Sequence, residues 1–268
     1  MVTHHNNAVS GTLRWAKAQA YERSYWERLG DDIEAGVKGK LDWYAWRARQ
    51  LESRFASLQN PPPRAGKVLE IGSGPIGIVN FLDWKERYAV DPLERFYRTR
   101  PALVGLRDPA VKYMAGTGEE LAFDDGMFSL VIIDNVLDHT YEPGKILAQI
   151  ERILRFDGCL YLAVNVHTRW GALLHELLAV LQIDEGHPYT FTGRTLRRLL
   201  TEHGFAILSE QVEDYRAAAR ENRRSRKLTD RIKGYSGLSE FSHSVLCGKQ
   251  AFSAHGAGTR PEEHGLRA

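Results

Sequence analysis

Cysteine is scarce in this sequence, and the sequence contains no long uninterrupted hydrophobic run. The two cysteines, Cys159 and Cys247, lie in apolar runs typical of buried strands, which favours reduced structural thiols over a disulfide framework. The ten histidines are scattered, and His175 is not followed by a second histidine at helical spacing, so no metal site is indicated. The longest apolar stretch, near residues 173–183, contains polar residues, and the N-terminus lacks an apolar core of signal-peptide length. We therefore expect a soluble cytoplasmic protein without a membrane partner.

A strong excess of charge of either sign is also missing. Lysine and arginine number 36 and aspartate and glutamate 34, which leaves a net charge of +2. This balance is too mild to indicate a nucleic-acid partner. With 268 residues, 43% of them hydrophobic, the chain is long enough to bury one substantial core.

The sequence does contain a glycine-rich turn directly after a short apolar run. Residues 67–77, KVLEIGSGPIG, predict a buried strand, a turn with Gly72, Gly74 and Gly77 at G-x-G-x-x-G spacing, and a helix over 76–84. Glycine suits such a turn because the backbone angles are unusual and a ligand can approach bare amides. The pattern indicates a nucleotide-type site, although structural turns and dinucleotide enzymes share the spacing.

Two acidic residues accompany this turn. Glu70 lies just before Gly72, where it can accept hydrogen bonds from an ammonium group or order the glycine loop. Asp91 follows the second apolar run, and a carboxylate at the tip of the second strand is placed to bind ribose hydroxyls. An adenosine-containing ligand is therefore expected.

Strands and helices alternate after a proline-rich linker at 60–63. This alternation predicts an α/β fold, a Rossmann-like, doubly wound and mostly parallel seven-stranded sheet with an N-terminal helical extension. We divide the chain into a helical extension with its linker (1–63), a ligand-binding domain (64–248) and a disordered tail (249–268). The predicted strands are 67–71, 87–91, 111–114, 128–134, 158–164, 205–210 and 241–247.

Two segments outside this alternation have two interpretations each. Helices are expected at 13–29 and 41–58, and four of the six tryptophans lie before residue 60. These two helices pack on the core, cover a substrate pocket as an aromatic lid, or do both. The insert at 211–236 is rich in basic residues, and it forms a solvated surface or binds an anionic substrate or a partner.

The middle of the chain resembles a known family. Residues 116–164, GTGEELAFDDGMFSLVIIDNVLDHTYEPGKILAQIERILRFDGCLYLAV, resemble the class I S-adenosylmethionine-dependent methyltransferases, especially the small-molecule (type 11-like) subgroup. Those proteins share the order G-D-A-E-x-L-P-F, S-F-D-x-V, V-L-x-H and R-x-L-x-P-G-G. With the glycine loop and Asp91, the resemblance covers about residues 66–166, and Thr117 stands where the family usually has an acid.

The resemblance implies S-adenosylmethionine as the cofactor and assigns residues to it. Glu70, Gly72, Ser73 and Gly74 would surround its methionine part, and Asp91 would hold the ribose. The remaining implied contacts are Pro92, Leu93, Gly118 and Glu119 near the adenine, and Asn135 at the methionine end or the substrate.

Two histidines are candidates for a general base, because imidazole suits proton transfer at neutral pH. His139 follows the fourth strand and His167 the fifth, at the edge where such sheets bind ligands. The candidates for the substrate pocket are Tyr141, Arg169, Trp170, His187 and Tyr189.

The leading interpretation is a methyltransferase acting on oxygen or nitrogen of a small-molecule acceptor, with no nucleic-acid partner. An NAD-linked oxidoreductase would use the same glycines and acid, but it is disfavoured because residues 116–164 resemble the methyltransferases. A non-catalytic cofactor-binding partner protein is the third possibility. The sequence leaves the acceptor and the oligomeric state open.

Overall fold

The protein is organised around one sheet of seven strands. The computed structural model describes residues 8–36, 42–180 and 189–250. The strand order is β3-β2-β1-β4-β5-β7-β6, and β7 runs antiparallel to both of its neighbours. The strands are β1 Lys67–Ile71, β2 Glu86–Asp91, β3 Val111–Ala115, β4 Phe128–Asp134, β5 Leu154–Val166, β6 Phe205–Val212 and β7 Phe241–Lys249. The predicted α/β sheet, mostly parallel and doubly wound, is confirmed. His187 and almost all of the predicted tail lie outside the described residues.

Helices flank the sheet and also form the segment before it. They are α1 Ala8–Glu34, α2 Asp42–Ala56, α3 Glu94–Tyr97, α4 Pro101–Val104, α5 Pro143–Ile153, α6 Arg169–Val180, α7 Gly193–Glu202, α8 Tyr215–Arg224 and α9 Leu228–Ser236. The basic insert thus continues β6 to Val212 and then forms α8 and α9. These two helices pack together, and Arg223 Nε donates to the Gly234 carbonyl at 2.9 Å.

Helix α2 belongs to the hydrophobic core. Its apolar side chains repeat at three- and four-residue intervals, which places them on one helix face. Leu51 and Phe55 are 1% and 3% exposed, and they share a buried cluster with Val68 of β1 and Ile132 of β4. The opposite face of the sheet is covered by α5 and α7 through residues such as Leu147. The N-terminal segment therefore supplies one of the two layers that bury the sheet.

The helix predicted over 76–84 is wrong. The chain forms only one 3-10 turn there, Ile78–Phe81. Gly77 before it has a φ of 83°, and Leu82 after it is extended at φ −94° and ψ 138°, so neither flanking residue continues a helix. Helix α2 packs against this turn and covers the sheet face beside it.

Candidate functional site

A cavity of about 610 Å³ lies at the carboxyl ends of β1, β2 and β4, under α1 and α2. The carboxyl ends of parallel strands meet at one edge of the sheet, where α/β proteins bind ligands. Of the residues predicted to form the site, it is lined by Glu70, Gly72, Ser73, Gly74, Asp91, Pro92, Leu93, Asn135 and His139. The structure thus brings most of the predicted cofactor residues into one cavity. Their roles stay predictions.

Asp91 joins the glycine loop to the end of β2. Its Oδ2 accepts a hydrogen bond from the Gly74 N–H at 2.8 Å, and its Oδ1 accepts one from the Leu93 N–H at 2.8 Å. Each carboxylate oxygen has a further lone pair, so the group can still accept hydrogen bonds from a ligand. Burial raises the pKa of Asp91 to about 6, against the lowering effect of those two N–H donors.

The glycine loop is held in a conformation that disfavours side chains. Gly72 and Gly74 have φ values of 69° and 61°. A Cβ on Gly74 would lie 2.6 Å from the Tyr44 hydroxyl and 3.1 Å from the Trp26 ring. The two N-terminal helices therefore approach the loop closely enough to require glycine.

Replacing Gly72 with alanine is expected to abolish binding of S-adenosylhomocysteine and to destabilise the fold. The new Cβ would lie 2.3 Å from Val136 Cγ2, so the strand-to-loop backbone or the cavity wall must move. Gly126→Ala is the matched control, because Gly126 also has a positive φ, 61°, but its Cβ would meet nothing within 4 Å. The Gly126→Ala variant carries only the strain of a side chain at positive φ, about 1–2 kcal/mol. Calorimetric titration and denaturant unfolding of both variants would test this, and equal behaviour of the two would contradict it.

Glu70 orders the turn that follows the glycine loop. Its side chain is buried, and its Oε2 accepts a hydrogen bond from the Val79 N–H at 2.8 Å. Burial raises its pKa to about 8, while the backbone N–H groups of Val79 and Ile78 oppose the rise. The residue lines the cavity and also holds the 3-10 turn in place.

This raised pKa predicts that stability falls with increasing pH. Between about pH 4.5 and 8 the folded state keeps a proton on Glu70 that the unfolded chain has released, so the free energy of unfolding decreases across that window. In Glu70→Gln the amide oxygen still accepts from Val79, and the decrease should be smaller. Urea unfolding at pH 5 and pH 8 measures it. An equal decrease in the wild type and the variant would show that Glu70 is not responsible.

The end of β4 contributes a side chain that the sequence interpretation did not select. Asp134 lines the cavity beside Asn135. Its Oδ2 lies 3.0 Å from Arg47 Nε, an ion pair without the alignment of a hydrogen bond, and accepts a hydrogen bond from the Tyr161 hydroxyl at 3.2 Å. An acid as the last residue of a buried apolar run is the same signal that identified Asp91, so the residue could have been found.

Aromatic side chains of α1 and α2 form the wall opposite the strands. The Trp26 ring lies 5.0 Å from Tyr25 and 6.1 Å from Tyr97, centroid to centroid. The aromatic lining consists of Tyr21, Tyr25, Trp26, Trp43, Tyr44 and Tyr97. These contacts support the expected aromatic lid while α2 also packs in the core.

The described lining of the cavity does not include the other predicted site residues. Gly118 is buried, and a Cβ there would lie 2.9 Å from Ile71 Cγ2. Glu119 Oε1 accepts hydrogen bonds from the N–H groups of Tyr141 at 3.0 Å and Glu142 at 3.4 Å, just before α5. The Glu119 carboxylate is therefore engaged at this helix start.

The remaining candidates lie around α6. The His167 N–H donates to the Phe191 carbonyl at 2.8 Å, and its buried ring lies 4.9 Å from the His175 ring. Trp170 is 62% exposed, and Arg169 beside it is also exposed. The Tyr189 hydroxyl donates to the Tyr141 carbonyl at 2.7 Å. The contacts described for these residues do not indicate a function for any of them.

The described ranges contain neither a membrane-spanning helix nor a cluster of metal-binding side chains. None of the helices described is long and apolar enough to cross a membrane. Within 8–36, 42–180 and 189–250, no group of three or more histidine, cysteine or acidic side chains is arranged to hold a metal ion.

Comparison with known proteins identifies the central segment. Residues 69–162 match the model of a family described as a methyltransferase domain. An uncharacterized methyltransferase of Mycobacteroides abscessus is 29% identical over 110 residues, which are 40% of this chain and 41% of that protein. The aligned region thus spans about two fifths of the length of this relative.

Solved structures share the fold. The YcgJ protein of Bacillus subtilis superposes with a TM-score of 0.52 at 16% identity, over 76% of this chain and 99% of its own. The structure of a geranyl diphosphate methyltransferase in complex with S-adenosylmethionine superposes with a TM-score of 0.54 at 13% identity, over 75% of this chain and 85% of its own. At these identities the likeness concerns the fold.

Residues 69–162 are thus similar to a methyltransferase domain, and they include the glycine loop and Asp91 that line the cavity.

Proposed function

We propose that this protein transfers a methyl group from S-adenosylmethionine to an oxygen or nitrogen of a small-molecule acceptor, such as a specialised metabolite or a sugar-bearing intermediate. The observation that carries the proposal is the single cavity that joins the glycine loop and Asp91 to the aromatic wall of α1 and α2. Its volume, about 610 Å³, falls within the range of small-molecule sites. The family match favours methyl transfer over NAD chemistry.

The residues present fit the cofactor. The carboxylate of Asp91 keeps lone pairs for two ribose hydroxyls, and the side chain of Asn135 has a buried oxygen, Oδ1, without a partner among the described residues. Gly72 and Gly74 leave the loop backbone open to a ligand because neither has a side chain. Asp91 and the glycine loop would hold the cofactor, which would supply an electrophilic methyl group on a positively charged sulfur. Asn135 would contact the methionine end of the cofactor or the acceptor.

The protein's own contribution is then to orient the acceptor and to exclude water. Reaction at a bound methyl group needs an in-line approach, and holding two reactants in that geometry accounts for much of the rate enhancement. Trp26 and Tyr44 close one side of the cavity over the glycine loop. A specialised base is optional for this reaction, and His139 lies in the lining as a candidate.

The proposal can be tested by locating the transferred methyl group. The protein is incubated with S-adenosylmethionine carrying a labelled methyl group and with a cell extract, which is then separated into small-molecule, protein and nucleic-acid fractions. We expect label in the small-molecule fraction and its loss with Asp91→Ala. Label confined to the protein or nucleic-acid fraction would overturn the proposed acceptor class.

A further inference from the structure

Two oxygen atoms at the end of β4 lack the hydrogen bonds that buried polar atoms normally make. Oδ1 of Asp134 and Oδ1 of Asn135 are both buried without a partner among the residues that the structure describes, and the Asp134 side chain is only 2% exposed. An unpaired buried acceptor costs about 1–3 kcal/mol. Asn135 also has a φ of 52°, and such strain in a non-glycine residue is typical of functional sites. The two unpaired oxygens point to a bound hydrogen-bond donor.

Arg47 and Tyr161 determine which oxygen of Asp134 is left for a ligand. Both contact Oδ2, at 3.0 Å and 3.2 Å respectively, so Oδ1 is the free acceptor. Burial raises the pKa of Asp134 to about 6, and Arg47 and the Tyr161 hydroxyl oppose the rise. The carboxylate is therefore ionised at neutral pH and above.

The charges around the cavity favour a cationic or neutral ligand over an anionic one. Neither lysine nor arginine occurs among the described residues that line it. Aromatic faces on the opposite wall, including Trp26 and Trp43, attract a positive charge. The acidic lining residues that are charged at neutral pH include Asp91 and Asp134, of which Asp134 is paired with Arg47, whereas Glu70 keeps its proton.

The position of Asp134 in the sheet separates it from the expected ribose site. Asp91 ends β2 and Asp134 ends β4, with β1 between them. Neighbouring strands are about 4.8 Å apart, so the ends of β2 and β4 are about 10 Å apart across the sheet. Asn165 of β5 lines the cavity on the far side of Asp134. This places Asp134 on the side of the cavity away from the ribose.

We propose that the methyl acceptor is a primary amine and that Oδ1 of Asp134 and Oδ1 of Asn135 accept hydrogen bonds from its two N–H groups. The inference rests on the proposed function and names its substrate class. Two acceptor-only oxygens match the two donors of a neutral amino group, whereas a hydroxyl group has one donor. The nitrogen lone pair is left free to point at the methyl group.

The same arrangement of the two oxygens stabilises the transition state of methyl transfer. A primary amine is protonated in water at neutral pH, so its ammonium group first releases one proton to bulk solvent. The nitrogen lone pair then forms the N–C bond as the C–S bond breaks, and the electron pair of that bond stays on sulfur. The positive charge therefore leaves sulfur and develops on nitrogen, beside the Asp134 carboxylate. A fixed carboxylate interacts more strongly with this developing charge than with the neutral amine, and such differential binding accelerates a reaction.

The test measures ligand binding to protein saturated with S-adenosylhomocysteine, followed by tryptophan fluorescence. Phenethylamine and 2-phenylethanol serve as probes because they differ only in the amino and hydroxyl groups. We expect the wild type to bind phenethylamine about 10-fold more tightly or better, as one hydrogen bond to a charged group is worth about 1.5–3 kcal/mol. In Asp134→Asn this preference should be lost. Phenethylamine binding no tighter than 2-phenylethanol, including no binding by either, would overturn the inference.

Two further variants keep the test decisive. Asn135→Gly removes the second oxygen, and glycine adopts a φ of 52° without strain, so this variant is expected to fold and to bind phenethylamine more weakly. Asp157→Asn is the control, since Asp157 is exposed and pairs with Arg155. If Asp134→Asn and Asn135→Gly instead lose affinity for S-adenosylhomocysteine while the amine preference stays, the oxygens serve the cofactor and the inference is wrong. Failure of the wild type to bind S-adenosylhomocysteine at all would count against the proposed function itself.

Discussion

Replacing Asp91 with alanine is expected to weaken binding of S-adenosylhomocysteine by about 100-fold or more. The carboxylate lines the cavity at the end of β2, and two hydrogen bonds from ribose hydroxyls to a charged group are worth about 1.5–3 kcal/mol each. The change also removes the acceptor for the N–H groups of Gly74 and Leu93, so the loop loses its tie to β2. Isothermal titration of the wild type and the variant gives the ratio directly.

Asp157→Ala is the control for this measurement. Asp157 is exposed and pairs with Arg155, and surface pairs of this kind contribute about 0–1 kcal/mol. The control should bind S-adenosylhomocysteine like the wild type. If Asp91→Ala also binds like the wild type, the ribose does not lie at the end of β2.

Replacing Phe55 with alanine is expected to lower the free energy of unfolding by about 3–5 kcal/mol, the usual cost of emptying an aromatic core position. The Phe55 side chain is 3% exposed, and its ring centroid lies 5.8 Å from that of Trp84. The prediction follows from placing α2 in the core. Denaturant unfolding, followed by circular dichroism, measures the change.

Phe156→Ala is the matched control because Phe156 is 73% exposed. Its removal should change the free energy of unfolding by less than about 0.5 kcal/mol. Similar losses for the two phenylalanines would show that α2 does not cover the sheet in the way described.

The strands of the sheet could be predicted because apolar runs of strand length alternate with helical patterns. The strand predicted at 128–134 coincides with β4, Phe128–Asp134. The strand predicted at 67–71 coincides with β1, Lys67–Ile71. Both are central strands that are almost entirely buried, and continuous apolar runs are the signature of such strands. The lateral order and the antiparallel β7 came from the structure.

The turn after the glycine loop could not be predicted from local pattern alone. Residues 76–84 have enough apolar residues for a helix, but Gly77 takes a positive φ and Glu70, from the preceding strand, binds the Val79 N–H. The sheet face that such a helix would cover is covered by α2. A tertiary contact thus overrides the local preference.

The candidate site was predictable at the carboxyl ends of strands, where Asp91 ends β2 and Asn135 directly follows β4. Asp134 has the same signal, an acid that ends a buried apolar run, but its contact with Arg47 joins residues far apart in the chain and comes only from the structure. His167 follows β5 as expected, in the loop before α6, and its ring is buried against His175 through a contact that the sequence does not show. The surroundings of Asp134 and His167 depend on contacts between elements far apart in the chain, which local sequence patterns do not show.

The most direct test of the account is calorimetric titration of the wild-type protein with S-adenosylmethionine and S-adenosylhomocysteine, with NAD as the competing ligand. The account predicts saturable binding of the first two at a single site and no displacement of either by NAD. Absence of binding, or preferential binding of NAD, would contradict the assignment of the glycine-loop cavity to S-adenosylmethionine.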